Sequence, residues 1–333
     1  MRSVVRILPL LAALAAPPGS DAAASTRGSD SSSSRTGSQY VRLTDWARAN
    51  EFTIHHWDSD KTLELSNRVA HLEFNTDPRQ DSRNAILNGV AVKLAFPLLI
   101  ENNRVFITQS DLENTIGPVL SPPSNPGGLK IRTICIDPGH GGSDPGFQVG
   151  SRDEKKYTLL LAQEVRDQLN KLGFRVVLTR GSDSSLKLGL RPEIAREHNA
   201  DLFVSLHFNS APQHNEVRGV EVYCMTPAGA FSTNAGGDGD TRWCAGNRND
   251  EKNMLLAWQM QRSLIRQLPV EDRGVHRARF QVLREATMPA ILIEGGFMSN
   301  PAEGRKIFDP SYRKQMAKAI VDGILAYKKA VKG

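Results

Sequence analysis

Hydrophobic and polar positions alternate with two different periods along this chain. Between Tyr40 and Ile116 the apolar runs are short: Leu63–Leu65, Ala70–Phe74, Ala85–Leu87, Val90–Leu94 and Arg104–Ile107. Asn88-Gly89 and Asn102-Asn103 separate some of them, as two-residue hairpin turns do. This stretch predicts a small β-rich unit of hairpins. Pro118, Pro122, Pro123, Pro126, Gly127 and Gly128 then crowd together, a composition in which neither helix nor sheet ladder is expected to persist. Beyond this linker the runs IRTICI, FRVVL, DLFVSL, GVEVYC, FQVL and AILI alternate with helical patterns. Tyr157, Leu160, Leu161, Val165, Leu169 and Leu172 recur at helical spacing, with Asp153 placed to cap the start and Gly173 to stop the end. A closing helix from about Ser311 presents Tyr312, Met316, Ile320 and Ile324. Strands alternating with helices predict an α/β domain with a central, mostly parallel sheet flanked by helices on both faces.

The ends of the pattern set the compartment. Arg2 and Arg6 precede the apolar run Ile7 to Ala16, and Ala22–Ala24 offer a small-residue cleavage site, so residues 1–24 read as a secretory signal peptide. The run is too short for a membrane span, which needs about 20 residues. Residues 25–38 are Ser-rich, lack apolar periodicity and read as a disordered spacer. The expected organisation is 1–24 signal peptide, 25–38 spacer, 39–117 β-rich domain, 118–130 linker and 131–333 catalytic domain. The product is expected to be exported, periplasmic or extracellular, with no integral membrane segment after cleavage.

Charge and cysteine content change this picture little. The 42 basic and 36 acidic residues give +6, which favours anionic surroundings, yet no dense basic block interleaved with aromatics marks a nucleic-acid surface. None of the three cysteines forms a CxxC pair, so no structural zinc knuckle is indicated. Cys224 and Cys244 are placed to pair across a Gly-rich loop or to remain free thiols, and Cys135, in an apolar run, suits a buried position.

Candidate chemistry gathers at strand ends, where open α/β sheets bind ligands. CIDPGHGGSDPG (135–146) surrounds His140 with Gly139, Gly141 and Gly142, which keep bulk away from the imidazole. Neither a GxGxxG order nor a following GK[ST] supports a phosphate loop. Glu154 falls in the first turn of the next helix, where a carboxylate also simply complements the helix dipole. His207 closes the strand Leu202 to Leu206 in SLHFNS, a place that suits a hydrogen-bonded edge histidine as well. Two histidines and a carboxylate make up the three-ligand set of a catalytic zinc site with its fourth position open. Glu294, in AILIEGGFMSNPAE, fits either a capping carboxylate or a general acid/base facing the same cleft.

Together, IDPGHGGSDPG, the glutamate of RDEK, ADLFVSLHFNSAP, RGVEVY, GVHRARFQVLREATMPAILIEGGFMSNPAE and the closing helix resemble the zinc-dependent N-acetylmuramoyl-L-alanine amidases of the AmiA/AmiB/AmiC type, the amidase_3 family, over residues 131 to about 330. The resemblance implies one zinc per chain held by His140, Glu154 and His207, with Glu294 catalytic. It implies peptidoglycan as substrate, cut at the amide between the lactyl group of N-acetylmuramic acid and L-alanine of the stem peptide, in wall remodelling or daughter-cell separation. A zinc peptidase or deacetylase acting on the same polymer, or a noncatalytic wall-binding protein, are the alternatives. LNGVAVKLAFPLLIENNRVFITQSDL resembles the N-terminal stalk domain of copper amine oxidases. Asn209 and Arg284 stand near the motifs as substrate contacts or plain structural hydrogen bonders, outside the catalytic set. Many relatives carry Lys where this chain has His276, a substrate contact, a surface substitution or an adventitious metal binder. The short Thr226–Lys252 segment replaces a longer, partly helical insertion that makes some relatives depend on activators, so an activator is not expected here.

Overall fold

Period-two alternation becomes a meander in the first third of the chain. The computed structural model describes residues 39–56, 61–125, 130–234 and 240–331, so the expected signal peptide and Ser-rich spacer lie outside the described residues. After strand β1 (Tyr40–Arg42) and helix α1 (Leu43–Ala49) come β2 (Thr53–His56), β3 (Thr62–Ser66), β4 (His71–Asn75), β5 (Asn84–Leu87) and β6 (Val90–Lys93), paired antiparallel in sequence order. Leu63, Leu65, Leu72, Phe74, Ala85, Leu87, Val90 and Val92 are all buried, the inward half of each strand. Asn88 and Gly89, at φ 52° and 76°, form the hairpin turn that their sequence predicts. Strands β7 (Leu99–Glu101) and β8 (Arg104–Thr108) complete a small second sheet with β1.

Helices α2 (Gln109–Asp111) and α3 (Gly117–Leu120) flank a π turn at Leu112–Ile116. The linker expected at 118–130 therefore starts later than its prolines suggest. Pro118 stands in the first turn of α3, where the missing N–H has no intrahelical partner to lose.

The remainder runs β9 (Thr133–Pro138), β10 (Gln148–Val149), β11 (Arg152–Asp153), α4 (Glu154–Lys171), β12 (Arg175–Leu178), α5 (Leu190–Glu197), β13 (Leu202–Asn209), β14 (Val220–Met225), α6 (Asp250–Gln267), β15 (Asp272–Ala278), α7 (Gln281–Arg284), β16 (Ala290–Phe297), α8 (Pro301–Phe308) and α9 (Pro310–Ala330). The main sheet has the order β12-β9-β13-β16-β14-β15-β6-β5-β4-β3-β2. Pairs from β12 to β16 are parallel, β14 runs antiparallel to β16, and β14, β15 and β6 are again parallel. Helices α4, α6 and α9 bury their apolar stripes on one face, and α5 and α7 cover the other. Asp153 precedes α4 without capping it: its Oδ1 instead accepts from Gln148 Nε2 at 2.8 Å across the β10–β11 hairpin.

The β-rich unit expected as a separate domain shares this sheet and this core. Val92 of β6 pairs with Val275 of β15, and Asp272 Oδ2 accepts the Ala91 N–H at 3.0 Å. Trp258 Nε1 donates to the Leu87 carbonyl at 3.0 Å. Arg277, fully buried, donates from Nη2 to Asn114 O (2.8 Å) and Thr115 Oγ1 (2.9 Å). One apolar cluster runs from Leu63 and Leu72 through Met260 to Ile320. Cys135, Cys224 and Cys244 are free thiols, with Cys224 Sγ receiving Arg277 Nη1 at 3.2 Å.

Buried groups stripped of hydrogen-bond partners cost about 1–3 kcal/mol each, and several partners are lost together if the first third is removed. A fragment starting at residue 130 is expected to aggregate or to melt without a cooperative transition, as read by circular dichroism and gel filtration. A monomeric fragment melting cooperatively at the full-length temperature would show the N-terminal strands to be dispensable.

Candidate metal centre

Three elements bring His140, Glu154 and His207 together. The loop after β9 carries His140 in the left-handed region, φ 59°, at a cost of about 1 kcal/mol for a residue with a Cβ. Buried hydrogen bonds hold it there. Arg191 Nη2 donates to the His140 carbonyl at 2.9 Å, Arg191 Nη1 reaches Pro138 O (2.9 Å) and Asp137 Oδ1 (2.8 Å), and Arg180 Nη2 reaches Gly139 O (2.7 Å). Asp137, fully buried, also accepts from Thr179 Oγ1 and Ser205 Oγ, tying β9 to its neighbour β13.

Glu154 opens α4 and is buried. Its Oε2 accepts the Phe147 N–H at 3.0 Å and its Oε1 the Phe208 N–H at 3.1 Å. His207 projects from β13. The Gly139 backbone passes so close to its ring that a Cβ there would lie 2.3 Å from His207 Cε1. A Cβ on Gly146, whose φ is +65°, would meet Glu154 Oε2 at 2.6 Å and His140 Cδ2 at 2.7 Å. These glycines pack against the His140, Glu154 and His207 side chains as well as shaping the turn.

His140 Nε2 lies 3.1 Å from Glu154 Oε1 and 3.1 Å from His207 Nδ1, which is itself 3.1 Å from Glu154 Oε1. The tetrahedral angle with metal bonds of 2.0–2.2 Å separates ligand atoms by about 3.3–3.5 Å, so this triangle fits a zinc-sized ion with modest expansion. The other ring nitrogen of His140 is 2.8 Å from Asp144 Oδ2, the outer partner that fixes a ligating imidazole. Burial works against ionisation of Glu154, but hydrogen bonds and charge from His140 and His207 outweigh it and hold the carboxyl well below its usual range. Burial likewise disfavours the charged form of His140, and Glu154 and Asp144 override it to raise that ring above the ordinary imidazole value. A bound dication would take over this role and leave both rings neutral.

Glu294 lies within β16 rather than at its end, because the strand continues to Phe297. It pairs with His207 on one side and with Glu221 on the other, so the three side chains share a face. Its Oε2 is buried without a hydrogen-bond partner. Burial, followed by the charges of Glu154 and Glu221, raises its carboxyl well above the ordinary range. The cavity between these groups, about 310 Å³, is lined by His140, His207, Glu294, Phe280, Gln281 and Leu292, among others.

Glu221 is the main residue that the sequence reading passes over. Buried in β14, it accepts from Asn209 Nδ2 (2.7 Å), Tyr223 Oη (2.8 Å) and Arg273 Nε (2.9 Å). The signal was a lone carboxylate in the apolar run GVEVYC. Asn209 is thus engaged in the sheet. His276 is buried, not a surface substitution: its Nε2 lies 2.9 Å from the Arg273 carbonyl, and burial pushes its pKa down. Arg284 lies one helical turn from the cavity wall, on α7.

The family model for N-acetylmuramoyl-L-alanine amidases, Amidase_3, matches residues 134–326. The probable cell wall amidase LytH of Staphylococcus epidermidis is 34% identical over 207 residues, 61% of this chain and 60% of the relative. N-acetylmuramoyl-L-alanine amidase AmiC of Neisseria meningitidis is 35% identical over 218 residues, 58% of this chain and 52% of the relative. The chain thus spans little more than half the length of these curated relatives. The solved N-acetylmuramoyl-L-alanine amidase of Clostridium difficile 630 superposes with a TM-score of 0.52 at 34% identity, over 60% of this chain and 97% of that one. By its family match, its α/β sheet and the sequence it shares with these proteins, the chain belongs to the N-acetylmuramoyl-L-alanine amidase family, Amidase_3.

Proposed function

We propose that this chain is a zinc-dependent peptidoglycan hydrolase that cuts the amide between the lactyl group of N-acetylmuramic acid and L-alanine of the stem peptide. The observation that carries the reading is the triangle of His140 Nε2, Glu154 Oε1 and His207 Nδ1, all 3.1 Å apart, with Glu294 on the same face of the sheet. His140, Glu154 and His207 would hold the ion. When bound, zinc supplies Lewis acidity toward a carbonyl oxygen and toward water. Glu294 takes a proton from the attacking water on its partnerless Oε2 and returns it to the departing amide nitrogen. Its raised pKa suits a group that must hold a proton for part of the cycle. Arg191 and Arg180 keep the His140 loop in place through its carbonyls.

The setting we infer is the cell envelope of an exporting cell. The relatives' names refer to the cell wall or to this amide, and no helix among the described residues is long and apolar enough to cross a membrane. We also infer that the enzyme needs no activator, because the short Thr226–Lys252 segment carries only a 3-10 turn (Ala245–Asn249) and the start of α6 among its described residues.

Three outcomes are expected. Glu294→Ala retains one zinc per chain by elemental analysis while sacculus digestion falls at least about 100-fold, within the range for loss of a general acid/base; loss of zinc would make Glu294 a ligand. Gly139→Ala, which drives a methyl into the His207 ring, lowers zinc affinity at least about tenfold in a chelator competition, and unchanged affinity would remove His207 from the ligand set. The purified protein digests sacculi without an added partner and releases intact stem peptides and bare glycan on mass analysis. Cleaved peptides would identify a peptidase instead, and activity only with a partner would contradict the activator-free reading.

A further inference from the structure

A second cavity, of about 540 Å³, is lined by Asp240, Arg242, Trp243, Arg279, Arg284 and Glu285, with others. Helix α7 separates it from the candidate metal centre: Gln281 and Val282 line the metal cavity, and Arg284 lines this one. Three residues along a helix advance about 4.5 Å, and an extended peptide advances about 3.3–3.6 Å per residue. The first few residues of an extended peptide whose amide sits at the metal centre are thus long enough to span the α7 segment between the two cavities.

The charges on its wall are unevenly satisfied. Asp240 is occupied by Arg242, whose backbone N–H and Nε donate to its Oδ1 at 3.0 Å and whose Nη2 donates to Oδ2 at 3.2 Å. Glu285 Oε1 accepts Gln281 Nε2 at 2.8 Å. Arg279 spends its guanidinium on the carbonyls of Thr226 and Arg242. Arg284 is half-buried, and no hydrogen bond or ion pair engages its side chain among the described residues. A partly desolvated guanidinium with no ion-pair partner among the described residues is open to an external anion, and its planar fork matches a carboxylate. Trp243, 58% exposed, forms an apolar part of the same wall.

We propose that this cavity is a carboxylate subsite in which Arg284 binds a free carboxylate of the peptide attached to the amide being cut. The proposal rests on the hydrolase reading above and adds a selectivity to it: stem peptides bearing free carboxylates are held, and amidated ones are not. Arg284 is here a binding residue, with no part in the proton transfers assigned to Glu294.

The test uses the full zinc-loaded chain and two probes, the peptide L-Ala-γ-D-Glu-L-Lys with free carboxylates and its fully amidated counterpart, titrated by calorimetry. Wild type is expected to bind the free acid at least about tenfold more tightly, as loss of a charge-assisted hydrogen bond implies. Arg284→Ala erases the difference and Arg284→Lys restores part of it, with zinc content and melting temperature unchanged. For N-acetylmuramoyl substrates carrying the same two peptides, Arg284→Ala raises KM for the acid only and leaves kcat in place. Should Arg284→Ala fail to fold, Arg284→Gln serves in its place. Equal binding of the two peptides by wild type, or a preference that survives loss of the guanidinium, overturns the proposal. An Arg284-dependent preference in a protein that digests no sacculi supports the subsite and contradicts the hydrolase reading.

Discussion

A carboxylate buried at the start of a helix is costly unless every lone pair is used, and Glu154 sits under that constraint. Two backbone N–H groups, from Phe147 and Phe208, come to it from different segments. They aim Oε1 at His140 and His207, and each imidazole is backed in turn. Asp144 fixes the His140 ring, and the bare backbone of Gly139 leaves space for His207. The cluster is a balance of desolvation against converging donors. Without a cation the Glu154 carboxylate raises the proton affinity of His140, and a bound cation would replace that proton. The left-handed conformation of His140 and the two buried arginines that grip its loop follow from the same requirement, since a triangle of side-chain atoms with 3.1 Å edges leaves little room for a mobile loop.

The sheet supplies the second fixed element. Because β13, β16 and β14 are adjacent and in register, His207, Glu294 and Glu221 lie side by side on one face. Three ionisable groups along one row of a sheet would repel or desolvate one another. Here Glu221 is neutralised by Arg273 and by donors from Asn209 and Tyr223, leaving Glu294 as the carboxylate with a free oxygen. On the same sheet the N-terminal strands extend the edge beyond β15 and accept the Trp258 indole N–H, while the π turn that follows them receives Arg277. They therefore support the strand next to Glu221, a different part from that of a detachable stalk.

Much of this was legible in the sequence, for identifiable reasons. Strand alternation from Leu63 to Val92 and the Asn88-Gly89 turn are local signals, and the structure keeps them where the spacing puts them. The helical faces of α4 and α9 are equally local. The proximity of His140, Glu154 and His207 was suggested by residue type and by their positions at element ends, and the fold brings them together. What could not be read was non-local. Nothing near Val92 announces that it pairs with Val275, and nothing in the run of prolines announces that Pro118 opens a helix. Glu221 stood in view as a polar residue in an apolar strand, but its role depends on Asn209 and Arg273, which are distant in sequence. The Arg191–Asp137 pair, buried and 54 residues apart, is of the same kind.

The central claim is that two imidazoles and the Glu154 carboxylate hold the metal while Glu294 stays outside its coordination shell. Zinc-edge X-ray absorption on the purified, zinc-loaded protein and on its Glu294→Ala variant tests this most directly. The account expects both spectra to show two nitrogen ligands from histidine and carboxylate oxygen at about 2.0–2.2 Å, and to superimpose on each other. A first shell with fewer than two imidazoles, or one that changes when Glu294 is removed, would contradict it.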